Sequence, residues 1–127
     1  MQLINLYALT VFATSALAAD CFGNGNEYIT RFISAYWGAR EKMCSNSACA
    51  YQQDCTVYNS ATAYLGYNAV VTVELKRKNT GGKKGFKDCW DATEDIINQC
   101  PKGSSQQLSG SWEANGQLYQ INGYYSY

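Results

Sequence analysis

Six cysteines constrain the fold of this chain more than any other sequence feature. All of them follow an apolar N-terminal segment; they are Cys21, Cys44, Cys49, Cys55, Cys89 and Cys100. An even number of cysteines in a small secreted chain predicts disulfides, because a domain of this size has little hydrophobic core to spare. We therefore expect three disulfides, and the spacing alone leaves their pairing open.

A zinc site is the alternative use of these cysteines, and the sequence argues against it. No two cysteines have the C-x-x-C spacing that is typical of zinc ligands, and the chain contains no histidine. We accordingly expect no metal and no cofactor.

The N-terminal segment has the features of a signal peptide. Residues 3–19 are almost entirely apolar and end in the small residues Ser-Ala-Leu-Ala-Ala, which predicts cleavage after Ala18 or Ala19. The apolar run is short for a membrane span and no second one follows, so we expect a secreted protein without a transmembrane segment. Residues 1–19 would then be removed, and residues 20–127 would form one domain.

The overall charge gives no reason to expect an anionic partner. Ten basic and ten acidic residues cancel, so no global field attracts nucleic acid or an anionic membrane. One local excess of positive charge surrounds a turn at residues 80–82, and it comprises Lys76, Arg77, Lys78, Lys83, Lys84 and Lys87. The pattern is typical of a solvated loop tip, and an anion or surface contact is the alternative.

Hydrophobic periodicity predicts two helices. Between residues 27 and 43, apolar side chains recur at helical spacing, and Asn26 is a candidate N-cap. The second helix is predicted over residues 88–100, because Ala92, Ile96 and Cys100 share one face and Pro101 follows at once.

The remaining pattern predicts strands. Residues 69–76 alternate between apolar and polar side chains, and residues 51–59 are a weaker candidate. Asn115-Gly116 predicts a type I′ hairpin that joins residues 111–114 to residues 117–121, and Asn122-Gly123 repeats the signal. We therefore expect an α+β domain with two main helices on a four- or five-stranded, mainly antiparallel sheet.

The sequence offers little for catalysis. Without histidine the chain lacks the usual general base, and cysteines in disulfides provide no thiolate. Paired carboxylates are the remaining route, and the candidates are Glu74, Asp91, Glu94, Asp95 and Glu113. Because those on the second helix lie opposite its apolar stripe, we expect them to be ordinary solvated acids, and we predict a protein that is not an enzyme.

The C-terminal tail, residues 111–127, combines aromatic rings with side-chain amides and has one charged residue, Glu113. Rings stack on the apolar face of a sugar, and amides both donate to and accept from its hydroxyls. Hairpin pairing would place Trp112 opposite Tyr119. The candidate glycan-binding residues are Trp112, Asn115, Gln117, Tyr119, Asn122, Tyr124 and Tyr125. The alternative is that Trp112 and Tyr119 form a core pair beneath a helix.

The order of these features resembles the small secreted fungal proteins with a Y-three-like glycan-binding domain. The resemblance rests on Cys21-Phe22-Gly23-Asn24-Gly25 after the signal peptide, on Cys44 at the end of the first helix, on Cys55 at the start of a strand, on the run from Asp88 to Cys100, and on Ser111-Trp112. It implies an α/β/α-type sandwich that binds glycans with N-acetylhexosamine-type termini. It also implies a homodimer through an exposed strand edge at the C-terminus.

The same order of cysteines and helices is similar to that of fungal killer toxins and secreted effectors. That resemblance implies a protein or membrane target instead of a sugar, with residues 76–87 as the contact surface. A shared fold does not decide between the two functions.

Overall fold

The computed structural model describes residues 18–81 and 85–127. In chain order its elements are β1 (Asp20–Gly25), a 3₁₀ turn (Ile29–Phe32), α1 (Ile33–Cys44), β2 (Cys55–Tyr64), β3 (Asn68–Asn79), α2 (Cys89–Gln99), β4 (Gln107–Ala114) and β5 (Gln117–Ser126). Most of the predicted signal peptide (residues 1–19), namely residues 1–17, and the lysines Lys83 and Lys84 lie outside the described residues.

The strands form one sheet in the order β1-β4-β5-β3-β2, and every neighbouring pair is antiparallel. The predicted α+β class, with two helices and a five-stranded antiparallel sheet, is confirmed. β5 lies between β4 and β3, so the C-terminal strand is not at an edge of the sheet. The edge strands of the described sheet are β1 and β2, but beyond Ile121 β5 pairs with β3 alone. The homodimer that the family resemblance implied at the C-terminus stays a prediction.

Both helices pack on the same side of the sheet. α1 contacts β2 and β3, α2 contacts β4 and β5, and the two helices contact each other. In β3 the side chains of Ala69, Val71, Val73 and Leu75 are fully buried beneath them, as the alternation predicted. The residues between them face the other way and are exposed or half-buried. The described residues thus form two layers, where the resemblance implied helices on both sides.

We call the uncovered side of the sheet the open face. Its residues alternate with the buried ones along three neighbouring strands. They are Thr56, Tyr58, Ser60, Thr62 and Tyr64 of β2; Val70, Thr72, Glu74, Lys76 and Lys78 of β3; and Leu118, Gln120, Asn122 and Tyr124 of β5.

The described residues contain three disulfides, as the cysteine count predicted. Cys21–Cys100 joins β1 to the end of α2, Cys44–Cys89 joins the two helices, and Cys49–Cys55 closes the loop before β2. Links between residues distant in sequence stabilise the fold mainly by restricting the unfolded chain.

Two turn predictions have different outcomes. Asn115 and Gly116 have φ angles of 55° and 75°, as the type I′ hairpin requires. The second turn, at Asn122-Gly123, was predicted wrongly, because both residues lie inside β5. A Cβ at position 123 would lie 2.5 Å from Tyr36 Oη and 2.6 Å from the Leu108 carbonyl oxygen, so glycine is needed there for close packing.

The first helix begins later than predicted, and the strand after it is displaced. Residues 29–32 form the 3₁₀ turn, and Asn26 Oδ1 accepts a hydrogen bond from the Tyr28 backbone N–H at 2.8 Å instead of capping α1. β2 starts at Cys55 and continues to Tyr64, whereas the weak pattern predicted a strand over residues 51–59.

Arg77 does not belong to the basic surface that its sequence neighbours suggested. It is 3 % exposed, and its guanidinium donates to the Gln53 and Ala50 carbonyl oxygens and to Asn46 Oδ1. It also lies 4.8 Å from the centre of the Phe86 ring. Burial lowers the pKa of this arginine, and its hydrogen bonds hold the loop between α1 and β2.

Within the described residues, no helix is both long and apolar enough to cross a bilayer. Nor do three or more metal-ligating side chains come together in this part of the chain.

Candidate functional site

The candidate residues of the tail separate into three groups. The first comprises Trp112, Asn115, Gln117 and Tyr119, which pack into the core or bind the start of α2. Trp112 and Tyr119 are cross-strand partners, as predicted, with ring centres 5.9 Å apart. They are 4 % and 0 % exposed, because odd-numbered positions of β5 and their partners face the helices. The structure therefore supports the core-pair alternative and removes both rings from the candidate surface.

Gln117 and Asn115 bind Asp88 at the start of α2. Gln117 is fully buried; its Nε2 donates to Asp88 Oδ2 at 2.7 Å, and its Oε1 accepts from Tyr119 Oη at 2.6 Å. Asn115 Nδ2 donates to the same carboxylate oxygen of Asp88 at 3.2 Å. These amides hold the hairpin against α2, and the buried Gln117 is not available to a ligand.

Asn122 and Tyr124 form the second group and lie on the open face around Glu74. The register pairs Asn122 with Glu74 and, two residues further along β5, Tyr124 with Thr72. Glu74 Oε1 accepts from Asn122 Nδ2 at 3.1 Å and from Tyr124 Oη at 3.5 Å. Glu74 Oε2 accepts from Tyr58 Oη at 2.9 Å. One carboxylate thus orients two tyrosines that are 56 % and 55 % exposed.

The environment of Glu74 keeps it ionised. Burial raises the pKa of Glu74, but the hydrogen bonds from Tyr58 and Asn122 and the charge of Lys76 together lower the pKa below its ordinary value. The same hydrogen bond to Glu74 raises the pKa of Tyr58, which keeps that phenol protonated.

Tyr125, the third group, lines a cleft that forms where β4 and β5 separate. Their register ends at Gly110 and Ile121, whereas β5 continues to pair with β3 as far as Ser126. Beyond that point the Gly123 backbone N–H donates to Ser109 Oγ at 3.1 Å. On the other side of β4, the register with β1 shifts between Phe22 and Gly25, as at a β-bulge.

The cleft has a volume of about 450 Å³ and an uncharged lining. It is lined by residues 23–26 of the β1 end, by Leu108 and Ser109 of β4, and by Gly123 and Tyr125 of β5. The amides of Asn24 and Asn26 and the Ser109 hydroxyl can donate and accept hydrogen bonds. No charged side chain of the described residues lines it.

A group of tyrosines, which we call the tyrosine cluster, adjoins the cleft and consists of Tyr67, Tyr125 and Tyr127. The hydroxyls of Tyr67 and Tyr125 share a hydrogen bond of 2.8 Å. The ring of Tyr127 lies 5.3 Å from that of Tyr67 and 5.9 Å from that of Tyr125. Tyr125 also makes an edge-on contact with the core residue Phe32. The cluster places aromatic surface at the mouth of the cleft.

The pKa of Tyr125 lies above its ordinary value. The hydrogen bond with Tyr67, assisted by loss of hydration and by the nearby phenols, raises the pKa of Tyr125 to about 12. The cleft wall is therefore an uncharged phenol at any physiological pH, and it presents both a ring and a hydroxyl to a ligand.

Several of these residues were not identified from the sequence as parts of a site. Asn24 and Asn26 lie in the segment Gly-Asn-Gly-Asn, whose alternation of glycine and asparagine is a signal for irregular backbone. Ser109 and Tyr67 carry no local signal. Ser109 lines the cleft because β4 and β5 separate, and Tyr67 bonds Tyr125 from a distant part of the sequence; both are tertiary features.

The carboxylates on α2 lie away from this cleft. Partial burial and, to a smaller extent, repulsion from Asp91 and Glu94 raise the pKa of Asp95. Glu113 is exposed on β4. That the protein is not an enzyme stays a prediction.

Comparisons with known proteins leave the family of this chain open. Neither a scan against protein-family models, nor a search of curated proteins, nor a search of solved structures found a match.

Proposed function

We propose that this protein is a secreted carbohydrate-binding protein that binds a neutral glycan in the cleft beside the tyrosine cluster. The observation that carries the proposal is the pairing of an uncharged concave lining with exposed tyrosines. Ligand sites are typically concave, with a few polar groups that fix orientation. A pyranose ring fits this chemistry, because its C–H face packs on Tyr125 and its hydroxyls exchange hydrogen bonds with Asn24, Asn26 and Ser109.

Two further features support this assignment. Three disulfides and the absence, within the described residues, of a membrane-spanning helix are compatible with an extracellular protein. The resemblance to Y-three-like proteins implies glycans with N-acetylhexosamine-type termini, and we include these termini in the proposal. An acetamido group would add one donor and one acceptor to the contacts that the cleft can satisfy.

A glycan array with the oxidised protein that starts at Asp20 tests the proposal. We expect binding to neutral glycans, strongest for those with N-acetylhexosamine termini. Asn24→Ala changes an exposed side chain, so the fold should persist while affinity falls about tenfold, as expected for loss of a ligand hydrogen bond. Tyr125→Ala should abolish binding.

Tyr124→Ala is the matched control, because the neighbouring tyrosine lies on the open face and not in the cleft. It should leave the binding of neutral glycans unchanged. If no glycan binds at micromolar protein, the proposed function is wrong. If Tyr124→Ala abolishes binding and Asn24→Ala does not affect it, the site is misplaced.

A further inference from the structure

A second concave site lies at the other end of the β2–β3 ladder. It has a volume of about 430 Å³ and is lined by Asp54, Cys55, Thr56, Lys76, Arg77 and Lys78. Lys76 and Lys78 are two positions apart on β3 and therefore point the same way, and Thr56 lies directly opposite Lys76. Arg77, between them, directs its guanidinium to the helix side of the sheet.

The charge of this pocket is positive. Its lining includes the basic residues Lys76, Arg77 and Lys78 and one carboxylate, Asp54. Asp54 Oδ1 already accepts a hydrogen bond from the Asn79 backbone N–H at 2.9 Å. Lys76 Nζ lies 3.6 Å from Glu74 Oε1, and its side chain is 49 % exposed. A surface ion pair of this kind contributes little, so the ammonium can reorient toward an incoming anion.

An oriented aromatic ring adjoins the pocket on the open face. Tyr58 is two residues from Thr56 on β2, about 7 Å along the strand. Its hydroxyl is bound to Glu74 Oε2, which restricts the ring while leaving it 56 % exposed. A ring fixed before binding loses little entropy when a ligand packs on it.

We propose that this pocket and Tyr58 together bind an oligosaccharide that carries an anionic substituent. The anion lies between Lys76 and Lys78 and accepts a hydrogen bond from the Thr56 hydroxyl, and the adjacent sugar ring packs on Tyr58. Charge complementarity selects the acidic group, and the aromatic ring selects an anion borne on a sugar over a free one. This site is separate from the neutral cleft and takes a different class of ligand.

Titration calorimetry at low ionic strength tests this with three probes: a short sulfated oligosaccharide, its desulfated counterpart and inorganic sulfate. We expect the sulfated oligosaccharide to bind most tightly, and we expect its affinity to fall as salt is added. The double variant Lys76→Gln/Lys78→Gln should lower the affinity for the sulfated oligosaccharide about tenfold or more, because charge-assisted hydrogen bonds are lost. The matched control Lys87→Gln/Lys102→Gln removes the same charge outside the pocket and should have no effect.

Tyr58→Ala should lower the affinity for the sulfated oligosaccharide and leave the weak binding of inorganic sulfate unchanged. Tyr51→Ala, which changes an exposed loop tyrosine, is its control. The proposal is overturned if the sulfated oligosaccharide does not bind, if both lysine pairs matter equally, if inorganic sulfate binds as tightly, or if Tyr58→Ala has no effect. Asn24→Ala should retain this binding, so failure of the cleft proposal and failure of this one are distinguishable.

Discussion

Glu74 shows how one residue organises a surface. Its carboxylate accepts hydrogen bonds from β2 and β5 while it belongs to β3 itself. These contacts join three strands on the open face, and they lower the pKa of the carboxyl, so the folded protein favours the ionised form.

The pH dependence of stability follows from that shift. A lowered pKa means that Glu74 stabilises the fold above its ordinary pKa of 4.5, and that this contribution is lost as the pH falls through the lower folded value. We expect Glu74→Gln to destabilise the protein at about pH 7 and to have little effect at about pH 3.

Urea unfolding of both proteins at each pH checks this expectation, with Glu113→Gln, an exposed carboxylate on β4, as the control. The expectation would be contradicted if the free energies of unfolding of wild type and Glu74→Gln differed by the same amount at both pH values.

At the scale of elements, side chains from α1 and from the 3₁₀ turn protect β2, an edge strand of the sheet. Lys42 Nζ on α1 donates to the Tyr58 carbonyl oxygen of β2 at 2.9 Å, and Arg31 Nη1 donates to the Tyr64 carbonyl oxygen at 3.3 Å. Unpaired edge groups invite strand pairing between molecules, and lysine side chains are a common protection.

Removal of this protection should promote association. We expect Lys42→Ala to shift the protein toward dimers or larger species at high concentration, because the Tyr58 carbonyl then becomes available to another strand. Sedimentation velocity over a concentration series measures the shift, and Lys87→Ala controls for the lost charge. Identical sedimentation of Lys42→Ala and wild type would show that the edge is protected by other means.

Local sequence signals predicted the elements but not their faces. Alternation identified β3, and Asn115-Gly116 identified the hairpin, because both depend on residues that are close in sequence. Alternation in β5 separates Tyr119 from Tyr124 but does not tell which side α2 covers, so Trp112 and Tyr119 were placed on the candidate surface. Asn122-Gly123 misled for a related reason, since the glycine serves contacts with Tyr36 and Leu108 that are distant in sequence.

At the scale of the whole molecule, helices on one side leave the other side of the sheet free. The two candidate sites use this asymmetry differently. The cleft depends on the separation of β4 from β5 and has a neutral lining, whereas the pocket of Lys76 and Lys78 lies on the open face and is positive. The cleft could not be derived from the sequence, because β1, β4 and β5 meet only through the sheet order. The positive charge of the pocket is visible in the sequence at Lys76 and Lys78, but the position of Thr56 opposite Lys76 depends on the β2–β3 register.

The central claim is that a neutral glycan binds in the cleft, and mapping of backbone amide shifts by NMR tests it most directly. Titration of the isotope-labelled protein with the strongest neutral glycan should shift the amides of Gly23, Asn24, Ser109, Gly123 and Tyr125, which surround the cleft. The amides of Lys76 and Lys78 should remain unchanged. Saturable shifts confined to residues outside the cleft, or no shifts at all, would contradict the account.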